Sequence, residues 1–277
     1  MTMTVATADV RDRADYSLGV DDAERARLLA QCAMHRTEAE LLLDRVGLRP
    51  GDRALDLGCG PLGVLDLLAE RVGPTGRVVG IDREKRYLEI ARQELDARGL
   101  DGVKLVAADA AATDLAPASF DLVHERLVLN NVPQPAAVVA EMVRLTRPGG
   151  HVAVQDVDWL TWTCLPEHAD WNLLREKAAA VWSGDVHLGR RLPALLRGAG
   201  LVDVEMVPHL RVFRPGEPYH RLLVRFVALH RPRILDGGTT TAGALDAAVA
   251  RLESHLATPS TVVLYATFFQ AWGRVPE

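Results

Sequence analysis

An acid, three glycines and a second acid are the first residues in this chain whose spacing suggests chemistry. Asp56 sits in the short apolar run Ala54 to Leu57, Gly58, Gly60 and Gly63 follow, and Val64 to Glu70 resumes with helical spacing. Strand, glycine turn and helix let a ligand approach backbone at a helix N-terminus, because glycine has no Cβ in the way. Asp82 closes the apolar run Val78 to Asp82, 22 residues beyond Gly60. A carboxylate about 20 residues on, at the end of the second strand, suits hydrogen bonding to ribose hydroxyls. Cys59, inside the turn, reads as a small residue lying against the ligand rather than as a nucleophile.

These residues need a scaffold of alternating strands and helices. The apolar runs predict strands near 53–57, 77–81, 103–107, 120–124 and 151–156. Helical spacing predicts crossovers near 62–71, 84–97, 136–146 and 188–198. Alternation of this kind implies an α/β, Rossmann-like doubly wound sheet. Two earlier helices are expected, one beginning at Asp21 or Asp22 and one over 37–46 that stops at Gly47 with Pro50 beyond it. The runs 202–212 and 261–272 read as the last two strands, for a seven-stranded sheet. Between them 217–257 is longer than a connection needs, with helices expected over 217–231 and 243–256. Together with 160–182 it reads as a helical lid. The chain thus divides into cap helices (1–50), a core (51–158), and a remainder carrying the lid (159–277).

The run Asp-Leu-Gly-Cys-Gly-x-x-Gly at 56–63, with Gly80-Ile81-Asp82, Ala108-Asp109-Ala110, Phe120-Asp121-Leu122-Val123 and Arg147-Pro148-Gly149-Gly150-His151 in order, resembles the class I S-adenosylmethionine-dependent methyltransferases of small-molecule type. The resemblance covers about 50–156. For the last two strands, 202–212 and 261–272, it implies a carboxyl-terminal antiparallel hairpin. It implies S-adenosyl-L-methionine as cofactor, with Asp56 near its methionine amino group and Gly58, Cys59 and Gly60 along the methionine and ribose. It gives Asp82 the ribose hydroxyls, Arg83 a flank of the adenine, and Asp109 and the Ala110 backbone the adenine edge. The alternative for Asp109 is a turn cap. Tyr16 and Arg27 are expected to reach the cofactor carboxylate, Tyr16 having packing as its alternative. Glu125 and Arg126 fall at the mouth of the site, either against the methionyl part or paired with each other. Asn131 stands where many relatives carry histidine.

The acceptor half has no motif. Four of the five tryptophans, Trp159, Trp162, Trp171 and Trp182, fall within 24 residues, and Tyr219 and Phe226 follow on the later insertion. Trp159, Trp162, Trp182, Tyr219 and Phe226 are the candidate acceptor wall, suited to a small, planar, aromatic or indole-like molecule, with lid packing as the alternative. His187 and His220 are the candidate proton acceptors, since imidazole titrates near neutral pH, with a solvated or packing role as the alternative for each. Transfer to O, N or C stays open. A class I fold that keeps its cofactor without transferring methyl, as a cyclase or binding module, is the alternative reading. A nicotinamide oxidoreductase is disfavoured by the glycine spacing and by the lack of a Tyr-x-x-x-Lys.

Composition narrows the partners. A net charge of −5 with scattered basic residues argues against nucleic acid. Three cysteines suit neither a disulfide framework nor a metal site. The first 15 residues carry no apolar leader segment, and there is no 18-residue apolar run, so a cytoplasmic protein with no membrane span is expected.

Overall fold

The computed structural model describes residues 22–277. Tyr16 and Asp21 lie outside them. The chain opens with α1 (Asp22–Met34) and α2 (Arg36–Val46). Gly47 ends α2 in a left-handed conformation at φ +67°, and its N–H and that of Leu48 return to the last carbonyls. The core follows as β1 (Arg53–Leu57), α3 (Leu65–Val72), β2 (Arg77–Asp82), α4 (Lys85–Asp96), β3 (Lys104–Ala107), β4 (Phe120–Arg126), α5 (Pro135–Leu145) and β5 (Thr146–Asp158). Beyond it run β6 (Thr163–Leu165), α6 (Ala169–Ala180), α7 (Leu192–Gly198), β7 (Val202–His209), β8 (Val212–Phe213), α8 (Leu222–Leu229), α9 (Arg231–Asp236), α10 (Ala242–Leu256), β9 (Val262–Leu264) and β10 (Thr267–Arg274).

Seven strands form one sheet in the order β3-β2-β1-β4-β5-β10-β7. The first five are parallel, and β10 runs antiparallel to both β5 and β7. The central strands are nearly continuous apolar runs because helices cover both faces. Leu42, Leu43, Leu65 and Leu68 pack on one face, and Val139, Met142, Leu192 and Leu196 on the other. The chain reverses direction in strand order at β1 and β4, whose carboxyl ends therefore open a crevice.

The last two strands differ from the expectation. The run 261–272 is not one strand. Residues 262–264 (β9) pair with β6 and β8 in a separate three-stranded sheet, and only from Thr267 does the chain enter the main one. The run 202–212 splits the same way, into β7 and β8. Unbroken β-branched and aromatic sequence hides the change of sheet, since each piece still alternates. The expected helix over 217–231 also divides, at His230, because Pro232 cannot donate a backbone N–H and constrains the residue before it.

Helices α6, α8, α9 and α10 with the small sheet enclose a second apolar core, containing Trp159, Trp162, Trp171, Phe226 and Tyr265. Among the described residues no helix is long and apolar enough to cross a membrane.

Candidate functional site

A cleft of about 1170 Å³, counted to its open mouth, lies at the carboxyl ends of β1, β2 and β4. Of the expected cofactor residues, Gly58, Gly60, Asp82, Arg83, Asp109 and Ala110 line it. Trp159, Trp182 and Phe226 line it too, so one cleft joins the glycine turn to three expected aromatic residues.

The glycine turn is braced by β2. The N–H groups of Gly58 and Cys59 both donate to the Ile81 carbonyl, at 2.7 and 2.8 Å. The Gly60 N–H donates to Asp82 Oδ2 at 2.8 Å, and Asp82 Oδ1 accepts from the Glu84 N–H at 2.9 Å. The turn thus gives the cleft close backbone approach, not a cradle of free donors. A Cβ on Gly60 would meet nothing within 4 Å, whereas one on Gly58 would stand 2.3 Å from Val128 Cγ2. Both glycines have positive φ, +54° and +75°. Burial raises the Asp82 carboxyl above its usual range, opposed by the two backbone donors. Asp109 is exposed and makes the turn expected as its alternative, Oδ1 accepting from the Ala111 N–H at 2.7 Å.

Three expected cofactor residues do not reach the cleft. Asp56 is buried under the turn, where Oδ2 accepts the Val64 N–H at 3.0 Å and Oδ1 meets His124 Nδ1 at 2.8 Å. Cys59 is buried behind the turn, and burial pushes its thiol well up. Glu125 is fully buried and does not pair with Arg126. Adjacent strand residues face opposite sides of the sheet, so Glu125 points beneath the cleft while Arg126 lines it and donates to the Gly63 carbonyl at 2.8 Å.

On the acceptor side Trp159 stacks on Phe226 at 5.7 Å between ring centroids, and Trp182 lies 5.0 Å from Trp159 and 5.5 Å from Phe226. Trp162 and Tyr219 are buried behind this wall and do not line the cleft. Trp162 packs edge-on against Trp159 and Tyr265, and Tyr219 stacks on Phe213. Their places in the wall are corrected to a supporting layer.

Neither expected histidine lines the cleft. His187 is exposed, with Nδ1 3.1 Å from Asp158 Oδ1. Burial works to raise the Asp158 carboxyl, but the Arg190 guanidinium, with help from His187, holds it below the usual range. His220 is buried beside Thr261, and burial lowers its pKa. Position within or beside the expected lid segments did not decide which way either ring turns.

Several lining residues carried no motif. Tyr265, at the step from β9 to β10, lines the cleft, and burial raises its pKa. Leu127, Val128, Asn130 and Asn131 form the turn after β4, and α1 contributes Arg27, Leu28 and Gln31. Arg27 is paired with Glu24 at 2.6 Å. Asn131 Nδ2 bonds the Leu127 carbonyl and Asn130 Oδ1, both at 2.7 Å, which leaves its buried Oδ1 without a partner. The β9–β10 step was read as continuous strand, so nothing in the sequence singled out Tyr265.

A methyltransferase domain family matches residues 48–200, which is more than half of the chain. The chain belongs to this family. It is a class I S-adenosylmethionine-dependent methyltransferase. The methyltransferase is 33% identical over 206 residues to a 37.1 kDa protein of transposon Tn4556 from Streptomyces fradiae, covering 73% of this chain and 59% of that protein's length. It is 31% identical over 195 residues to the demethylmenaquinone methyltransferase of Geobacillus kaustophilus, covering 63% of this chain and 81% of the relative. The YcgJ protein of Bacillus subtilis shares its fold, with a TM-score of 0.59 at 17% identity over 87% of this chain and 99% of that one.

Proposed function

We propose that this methyltransferase transfers the methyl group to a small, planar, aromatic acceptor held against Trp159, Trp182, Phe226 and Tyr265. One observation carries the reading: that aromatic wall lines the same cleft as Gly58, Gly60, Asp82 and Asp109. Aromatic residues give a flat apolar ligand large contact area with fixed geometry.

The lining suits the cofactor. Gly60 leaves open space where backbone must approach a ligand, and Asp82 and Asp109 keep acceptor capacity beyond their turn bonds. Asp82 would accept the ribose hydroxyls, and Asp109 with the Ala110 backbone would meet the adenine edge. The Arg126 guanidinium is placed for a carboxylate, and the orphaned Asn131 Oδ1 for an ammonium, so these two would hold the methionyl end. S-adenosylmethionine supplies an activated methyl on a sulfonium, open to in-line displacement.

What the chain adds is position and exclusion of water. Among the described residues the acceptor side of the cleft carries no imidazole or carboxylate, and the Tyr265 phenol is held protonated by burial. Tyr265 therefore acts as a donor that orients an oxygen or nitrogen of the acceptor. Proton removal falls to the acceptor's own acidity or to solvent.

The test is a panel of planar phenols, anilines and indoles incubated with S-adenosylmethionine, read by mass of the product. Expected is methylation of aromatic members, with saturated analogues of the same size left unmodified. Equal turnover of saturated analogues would defeat the aromatic-acceptor reading. Thermal stabilisation by S-adenosylhomocysteine with no methylated product from any class would favour the non-transferring alternative.

A further inference from the structure

Two carboxylic acids that do not line the cleft lie directly beneath it. Glu125, near the end of β4, and Asp156, near the end of β5, are both fully buried. Both reach the same turn. Glu125 Oε2 accepts the Val128 N–H at 2.9 Å, and Asp156 Oδ2 accepts the Asn130 N–H at 2.8 Å. Asp156 Oδ1 takes the Val157 N–H at 2.7 Å, whereas Glu125 Oε1 is buried with no partner.

The turn they hold, residues 127–131, links the two halves of the cleft. Val128 abuts the glycine turn so closely that it occupies the place a Cβ on Gly58 would need. Two residues on, the Asn130 carbonyl accepts the Trp182 indole N–H at 3.1 Å, which ties the turn to the aromatic wall. Leu127 has φ +58°, a left-handed conformation that strains a leucine and persists only where the surroundings over-determine it. Its own N–H is fixed by the Gln155 carbonyl at 2.8 Å, and the two acids fix the N–H groups that follow.

We propose that Glu125 and Asp156 are positioning residues for methyl transfer: a buried pair of acids that clamps the 127–131 turn and so fixes the spacing between the glycine turn and the aromatic wall. The proposal rests on the reading of this cleft as the methyl-transfer site. Burial raises the Glu125 carboxyl well above its usual range, the Asp156 charge adding to the effect, and burial pushes Asp156 up to about 8. Like charges this close and this dry do not both ionise, so the pair keeps a proton near neutral pH. The charged group acting on Glu125 is Asp156, and Asp156 also acts on the Tyr265 phenol. Arg126 is turned to the other face of the sheet.

The sign of the pH effect follows. Unfolded, both acids ionise near 4, and folded they keep protons to higher pH. Both acids are therefore protonated in the folded chain at low pH; the stability this contributes is complete below about 4 and falls as pH rises, with Asp156 giving up its proton at about 8 and Glu125 held well above its usual range.

The test uses the whole chain and S-adenosylhomocysteine as probe. Affinity is measured by titration calorimetry from about pH 6 to about pH 9, with deuterium exchange at the Val128 and Asn130 amides. Glu125→Leu, which removes one acceptor, is expected to weaken binding roughly tenfold and to speed exchange at both amides. Glu125→Gln mimics the protonated acid and should bind like the native chain at neutral pH, whereas Asp156→Asn should lose the native fall in affinity that sets in on the alkaline side as Asp156 ionises at about 8. A folded Glu125→Leu variant with unchanged affinity and exchange would overturn the clamp. So would Asp156→Asn following the native alkaline fall, or Glu125→Gln binding as poorly as the leucine variant. Should Glu125→Leu not fold, the glutamine variant and Asp156→Asn decide by the same pH series. A native chain that fails to bind S-adenosylhomocysteine would instead overturn the reading of the cleft.

Discussion

The two halves of the cleft are built on different principles. The half around the glycine turn comes from one stretch of chain: a strand end, a glycine turn and a second strand end, with the turn's N–H groups bonded to Ile81 and Asp82 on the neighbouring strand. The proposed acceptor half is assembled from Trp159, Trp182, Phe226 and Tyr265, which belong to four separate segments and meet only through the second apolar core. Substitutions in the first half should act on fold and cofactor affinity together. Those in the second should act on the acceptor alone.

The largest effect is expected from Gly58→Val. A β-branched residue at φ +75° is strained, and its Cβ would stand 2.3 Å from Val128 Cγ2. The combined cost is about 3 kcal/mol or more, so the variant should melt early as well as bind weakly. Gly60→Ala is the contrast, with open space around its Cβ. It should keep most of its stability and lose S-adenosylhomocysteine affinity, because the methyl enters the cleft. Equal melting temperatures for the two variants would erase the distinction.

Asp82→Ala comes next. It removes the proposed ribose acceptor and the brace on the Gly60 and Glu84 N–H groups, so calorimetry should show affinity reduced roughly tenfold to a hundredfold. An unchanged dissociation constant would end the ribose assignment.

Phe226→Leu tests the other half. The side chain stacks on Trp159 and lies tilted against Trp182, and its shortening should raise the KM for an aromatic acceptor several-fold. S-adenosylhomocysteine affinity should stay within about twofold, below the loss of one good hydrogen bond. A matching loss of cofactor affinity would show that the halves are not separable.

The smallest effect is expected from His187→Ala. The ring is exposed and off the cleft, so turnover should change by less than about twofold, as for an ordinary surface substitution. A collapse of kcat with KM kept would restore His187 as a proton acceptor.

Asp82 was legible because it ends a strand whose apolar run is visible, and strand ends face the crevice of such a sheet; Asp109, two residues beyond β3, was placed only by the family resemblance. Asp56 follows the same spacing, yet it turns under the loop to His124 and Val64. Spacing gives a residue's place along the chain, but the direction of a buried carboxylate depends on which donors surround it. Trp162 and Tyr219 failed as wall residues for the same reason: aromatic content marks where a core will form, and only packing decides which rings face in. Arg126 and Glu125 are neighbours in sequence but serve opposite sides of the sheet. Tyr265 was hidden inside a run that reads as one strand and is in fact a step between two sheets.

The sequence by itself determined the family, the seven-stranded α/β sheet, the glycine turn and the acids at the strand ends. These depend on short-range rules: strand and helix periodicity, glycine at positive φ, and acids a fixed distance along one unit. Tertiary structure decided which rings line the acceptor space, that neither His187 nor His220 reaches it, and that Glu125 and Asp156 meet under one turn. Those outcomes rest on contacts between segments far apart in the chain, where a side chain's neighbours, burial and charge exist only once the sheet and its lid have packed.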